Sequence, residues 1–143
     1  MADLLCGTYN PSIDQKGRMS FPTKLRDILG PEFYLCQGYD DSYIAVYSPS
    51  AFQEYCNTLN SVPGPKGSAL RRKLLAGADL QIPDKQGRIF INQLLRDYAD
   101  ITDEVVVIGA NKRAEIWNKS KWEEFNESIS QDEINDLLAD YVL

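Results

Sequence analysis

The chain has 143 residues, of which 43% are hydrophobic and 25% charged, with three cysteines, no histidine and a formal charge of −6. This length suits one ordinary domain or two very small ones, and the composition is that of a soluble globular protein. Without histidine there is no imidazole base, no histidine-based triad and no imidazole metal ligand.

No apolar run approaches the ~18 residues of a membrane span, and the opening residues lack a signal-peptide pattern. The expectation is a cytoplasmic protein that does not use the membrane. Cys6, Cys36 and Cys56 are odd in number, widely spaced and set among apolar neighbours. That pattern predicts three small buried thiols in a reducing compartment; zinc would need a fourth ligand and tighter spacing.

In chain order, a short strand is predicted over 8–10. It leads into Asp14-Gln-Lys-Gly-Arg18, a turn in which glycine takes positive φ without steric cost. An apolar strand follows over 18–21, then a short helix that opens at Pro22, places Leu25, Ile28 and Leu29 on one face, and stops at Gly30-Pro31. Strands over 33–36 and 43–47 flank a hairpin loop over 38–42. A longer helix places Phe52, Tyr55, Cys56 and Leu59 at i, i+3, i+4 and i+7, behind either Ser48-Pro49 or a Ser50-x-x-Gln53 capping box. Residues 61–67 read as a linker, and 68–76 as a helix with Leu70, Leu74 and Leu75 opposite Arg71, Arg72 and Lys73.

From residue 79 the pattern begins again. Asp84-Lys-Gln-Gly-Arg88 repeats Asp14-Gln-Lys-Gly-Arg18 at a separation of 70, and Leu25/Leu95, Arg26/Arg96 and Asp27/Asp97 continue the register, giving six identities in fourteen positions. Val46-Tyr47 matches Ile116-Trp117, Phe52 matches Trp122, and Tyr55 matches Phe125. The chain is a tandem duplication. The second copy predicts strands over 79–82, 88–91, 104–108 and 114–117, with Asn92 as the helix N-cap in place of Pro22. A helix follows from a Ser120-x-x-Glu123 box, and a last amphipathic segment carries Ile134, Leu137, Leu138 and Tyr141. Copies of about 45 residues are too small to bury adequate cores alone. They are expected to interlock as one pseudo-two-fold β-barrel-like domain ringed by helices, an α+β protein with a mainly β core.

Charge is unevenly placed. Seven of the 21 acids lie beyond Lys121 with no base among them, which leaves 15 bases against 14 acids before that point. Residues 14–27 hold Lys16, Arg18, Lys24 and Arg26, and residues 66–73 hold four bases and no acid. A near-neutral body with clustered cations and an acidic tail is compatible with a nucleic-acid partner. The Arg71-Arg72-Lys73 run is expected to be a solvated helix face, and Asp40-Asp41 solvated turn chemistry.

No motif for catalysis emerges. Gly64-Pro-Lys-Gly-Ser68 resembles a P-loop only loosely, with the wrong order and spacing. The doubled Asp-x-x-Gly-Arg turn is the one repeated polar constellation. Its structural role is an aspartate capping the turn and pairing with the arginine. Its chemical potential is the planar arginine fork, which matches phosphate oxygens or the O6/N7 edge of guanine.

Gly7-Thr-Tyr, Asp14-x-Lys-Gly-Arg18, Phe21-Pro22-x-Lys-Leu-Arg26, Arg71-Arg72 to Gly77-Ala78, Asp84-Lys-Gln-Gly-Arg88 and Val105-Val-Val-Ile-Gly109 with Glu115-Ile-Trp117 together resemble the MraZ family. These are bacterial transcriptional regulators built from two AbrB/SpoVT-type swapped-hairpin halves. The resemblance covers nearly the whole chain except the acidic tail. It implies halves at 8–50 and 79–122, joined by helices over 51–78 and followed by a helical tail over 123–143. It also implies ring-shaped homo-oligomers, octamers or larger, that bind double-stranded DNA at promoter repeats upstream of the division and cell-wall gene cluster, with nucleoid association and no cofactor. DNA-binding roles carry onto Asp14 and Arg18 and, by repeat symmetry, onto Asp84 and Arg88. Charge adds Lys16, Lys24 and Arg26. Asn92 and Leu94 stand where the first copy has Pro22 and Lys24, so the first copy is expected to dominate reading. The competing expectation is an antitoxin-like protein-interaction scaffold without specific DNA readout.

Overall fold

The structure, a computed structural model, describes residues 4–141. Residues 1–3, read above for a leader, and 142–143, the end of the expected tail, lie outside it. The first copy supplies β1 (Thr8–Tyr9), β2 (Arg18–Ser20), α1 (Thr23–Leu29), β3 (Phe33–Gln37), β4 (Ile44–Tyr47), α2 (Pro49–Asn60) and α3 (Gly64–Leu75). The second supplies β5 (Asp79–Gln81), β6 (Arg88–Phe90), α4 (Gln93–Tyr98), β7 (Val105–Gly109), β8 (Ala114–Asn118), α5 (Lys119–Ser128) and α6 (Gln131–Leu138).

The copies interlock through their strands. One antiparallel sheet runs β1-β7-β8-β4-β3-β5, so each copy's first strand lies against the other copy's hairpin, and β2 pairs with β6 in a separate ribbon. The registers locate the symmetry. Ala45 faces Glu115 between β4 and β8, and Met19 faces Ile89 between β2 and β6. Both are pairs 70 apart, so a pseudo-two-fold axis passes through the two strand pairs. The α+β class and the pseudo-two-fold, swapped-hairpin arrangement are as the sequence implies.

The long sheet is buried on both faces, which is why its strands read as continuous apolar runs and not as alternations. Toward the ribbon, Ile44, Val46, Val105, Val107 and Ile116 pack with Met19, Phe21, Leu25, Ile89, Ile91 and Leu95. On the opposite face, Cys36, Tyr43, Ala45, Tyr47, Val106 and Trp117 lie under Phe52 and Tyr55 of α2 and Trp122 of α5. At the axis on that face, the buried Glu115 carboxylate takes the Arg113 guanidinium at 2.9 Å and the Trp117 indole N–H at 3.0 Å. Arg113 also sits 5.3 Å from the Tyr43 ring, its own counterpart at separation 70.

Several local expectations change. Helix α3 begins at Gly64, not residue 68, because Pro65 occupies its first turn. Ser48 caps α2 by accepting the Ala51 N–H, which decides between the two alternatives. Asn118, not Ser120, caps α5 by accepting the Lys121 N–H. The exchange of Arg71 from solvated cation to structural clamp is the largest change: its Nη1 donates to Leu59 O at 2.8 Å and Val62 O at 3.0 Å, fastening α3 onto the end of α2. Asp40 also has protein partners, accepting the Tyr43 hydroxyl and pairing with Arg113. Of the thiols only Cys36 is buried; Cys56 is half-buried and Cys6 exposed.

Candidate nucleic-acid interface

The two Asp-x-x-Gly-Arg turns are built alike, bond for bond. Asp14 Oδ1 accepts the N–H of Lys16 at 2.9 Å and of Arg18 at 3.0 Å, and Oδ2 accepts Arg18 Nε at 3.0 Å. Asp84 Oδ1 accepts the N–H of Gln86 and of Arg88, each at 2.9 Å, and Oδ2 accepts Arg88 Nε at 3.0 Å. Gly17 and Gly87 close the turns, donating to Asp14 O and Asp84 O with φ of 92° and 78°. The Arg18 N–H, first among its influences, holds the Asp14 carboxyl below the usual carboxylate range, and the Arg88 N–H does the same for Asp84. Each aspartate is a latch that stays ionised. With Nε committed to the latch, neither terminal nitrogen of Arg18 or Arg88 has a hydrogen-bond partner among the described residues.

The ribbon brings the turns together. Met19 and Ile89 point into the core, so the alternation of a strand sends Arg18, Ser20, Arg88 and Phe90 to the outer face. Arg18 stands opposite Phe90, and Arg88 opposite Ser20. The two arginines are therefore diagonal neighbours, with Cα atoms roughly 7–8 Å apart. Each turn also receives a bond from the other copy: Phe21 N–H donates to Gly87 O at 3.0 Å, and Ile91 N–H to Gly17 O at 2.8 Å.

The helix arginines cross over as well. Arg26 does not join its own copy's turn. It lies against Gly87, where a Cβ would meet its Nη1 at 2.9 Å. Arg96 lies against Gly17 in the same way, and its Nε donates to Ile91 O at 2.8 Å. Arg26 Nε is buried without a partner. Lys16 is exposed on the first turn and Lys24 on α1. Asp14, Lys16, Arg18, Arg26, Asp84 and Arg88 thus converge on the ribbon and its two turns. Arg96 and Lys85 belong to the same surface and were missed, although the Arg26/Arg96 identity pointed to the first of them.

Among the described residues no cluster of three or more side chains is arranged to hold a metal ion, and no helix is long and apolar enough to cross a membrane.

The family model described as "MraZ protein, putative antitoxin-like" matches residues 4–70 and again 74–141. The chain belongs to the MraZ family. A protein named "Transcriptional regulator MraZ" from Finegoldia magna is 43% identical over 136 residues, covering 92% of this chain and 94% of the relative. Proteins of the same name from Bifidobacterium longum and Mycobacterium tuberculosis are 41% identical over 124 residues and 37% over 126. The first of these covers 85% of this chain and 82% of the relative, the second 87% of each. Each of the two MraZ matches contains one latched turn, and neither contains a complete ribbon. The outer surface holding Arg18 and Arg88 exists only because both MraZ matches are folded against each other.

Proposed function

We propose that this chain is a sequence-specific DNA-binding transcriptional regulator. The observation that carries this reading is the meeting of two latched arginines on one exposed two-stranded ribbon, the terminal nitrogens of each without a partner among the described residues. A two-stranded ribbon fits the major groove of B-DNA, and a guanidinium fork matches guanine O6/N7 or a phosphate. Asp14 and Asp84 hold the loops and aim Arg18 and Arg88. Lys16, Lys24 and Arg26 neutralise phosphates beside them. The names of the relatives support the regulatory role.

The resemblance adds the setting: repeats upstream of the division and cell-wall gene cluster, including its own gene. It also adds a ring-shaped homo-oligomer in the cytoplasm, associated with the nucleoid. In such a ring each bound copy raises the effective concentration of the next. The halves at 8–50 and 79–122 are the reading units, and no catalytic step is assigned.

The test is a fluorescence-anisotropy titration of the full chain against DNA upstream of its own gene, with a scrambled duplex as control. Arg18→Ala is expected to weaken specific binding about 5- to 150-fold, the range for losing one bidentate base contact, with circular dichroism unchanged. Wild-type affinity in that variant overturns the assignment. Equal binding of both duplexes by the wild type would point to the interaction-scaffold reading.

A further inference from the structure

The outer face of the ribbon carries two apolar side chains that its folding does not require. Phe90 is 42% exposed there, and Ile82, just beyond β5 on the way into the same turn, is 67% exposed. At separation 70 their counterparts are Ser20 and Ser12. The first copy therefore builds the same strand and turn with serine at both places. An exposed aromatic that the fold can do without points to something it touches.

Backbone and side-chain bonds gather these two residues beside Arg18. Asp84 N–H donates to Arg88 O, so the chain entering the turn runs antiparallel to β6 and Ile82 comes level with Phe90. Phe90 N–H donates to Gln81 Oε1 at 2.9 Å, which ties the same two segments together. Across the ribbon Phe90 is the partner of Arg18 on the outer face, with Cβ atoms roughly 5 Å apart. On another side Arg96 Cζ lies 5.8 Å from the centre of the Phe90 ring. The apolar pair is bordered by guanidinium groups.

That border selects the partner. A wholly apolar protein surface laid over Phe90 would bury the charges of Arg18 and Arg96 without compensation. Duplex DNA offers both kinds of group on one surface. In the major groove guanine presents its O6/N7 edge to an arginine, and the apolar feature among the base edges is the thymine C5 methyl. Successive bases are 3.4 Å apart along a strand, so a side chain roughly 5 Å from Arg18 reaches a base one or two steps away. We infer that Phe90, flanked by Ile82, reads a thymine methyl one or two base pairs from the base that Arg18 meets. This contact rests on the DNA-binding reading of the ribbon and adds a base that hydrogen bonds do not select. Ser20 and Ser12, beside Arg88, make no such contact.

The test removes the methyl from the DNA and the ring from the protein. The full chain is titrated by fluorescence anisotropy against the duplex from upstream of its own gene, with each thymine replaced singly by deoxyuridine. That exchange deletes the methyl and keeps every base-pair hydrogen bond. The wild type is expected to lose about fourfold in affinity at one thymine per site, the worth of one methyl leaving water. Phe90→Ser, a residue the ribbon already accepts at Ser20, is expected to bind the thymine and deoxyuridine duplexes equally. It is also expected to prefer both to the scrambled duplex, through Arg18 and Arg88. A wild type indifferent to every deoxyuridine exchange overturns the inference, and so does a Phe90→Ser variant that discriminates as the wild type does. In either case a retained preference over the scrambled duplex leaves the DNA-binding reading standing. A wild type without that preference overturns both.

Discussion

Gly17 and Gly87 hold the same place in the repeat but not the same surroundings. Both have positive φ, where an L side chain is strained. A Cβ on Gly17 would lie 2.8 Å from the Ile91 carbonyl oxygen, which is backbone just beyond β6 and not the end of a flexible side chain. On Gly87 the nearest atom is the end of the flexible Arg26 side chain at 2.9 Å. Gly17→Ala is therefore expected to cost about 1–3 kcal/mol in urea unfolding, and Gly87→Ala distinctly less. Equal costs would mean that the two turns are equally tight. The aspartates beside them set a pH dependence. Their pKa values are depressed below the ordinary 3.8, with backbone N–H donation as the first cause. The latch is thus fully present above the ordinary aspartate range and is lost as pH falls through the depressed values. Carboxyl NMR titration should place the Asp14 and Asp84 midpoints below 3.8, and a midpoint above it would contradict the latch. These turns were legible in the sequence because every bond within them spans four residues or fewer. The positions of Arg26 and Arg96 were not, since which turn each arginine reaches depends on the exchange of strands between copies.

At the scale of elements, Arg71 shows how a basic run misleads. It sits in a helix beside Arg72 and Lys73, and local sequence gives no reason to separate it from them. Only the return of α3 onto α2 brings it to the carbonyls of Leu59 and Val62. Arg71→Ala would leave both oxygens without that donor. It is expected to destabilise the protein by about 1.5–3 kcal/mol, the worth of hydrogen bonds to a charged group, and to speed amide exchange in α3 while the ribbon stays protected. Uniform exchange across the molecule would instead mean that α3 and the core open together. The helix starts were readable only to within a few residues, because Ser120 and Asn118 are both competent caps and packing decides between them. The repeat itself drifts. Tyr34 pairs with Tyr47 in the first hairpin and Val106 with Trp117 in the second. The separation is therefore 72 at β3/β7 and 70 at β4/β8, because the first hairpin loop is two residues longer and the second helix-to-strand connection makes up the difference.

On the scale of the whole molecule, total charge and working charge are different quantities. The chain is net negative, yet Lys16, Arg18, Lys85 and Arg88 lie along the ribbon and its turns, and seven acids sit in the exposed tail. On the proposed reading, binding to duplex DNA should weaken steeply with salt. Neutralising about four phosphates per chain gives a slope of log K against log salt near −3.6. A slope near zero would show that the ribbon does not meet phosphate. The duplication was readable from residues alone, but the interlock was not, since a strand's own sequence does not say which copy will supply its neighbour. That interlock has one more consequence. The ribbon is two-fold in backbone only: Phe90 stands where the first copy has Ser20, and Leu94 where it has Lys24. One end of the ribbon pairs Phe90 with Arg18 and the other pairs Ser20 with Arg88, so on the proposed reading a duplex lying across it meets an aromatic end and a polar end, and the protein has a direction along the DNA. A molecule with a direction is suited to sites that all point the same way. Mirrored half-sites would demand that it read one of them backwards.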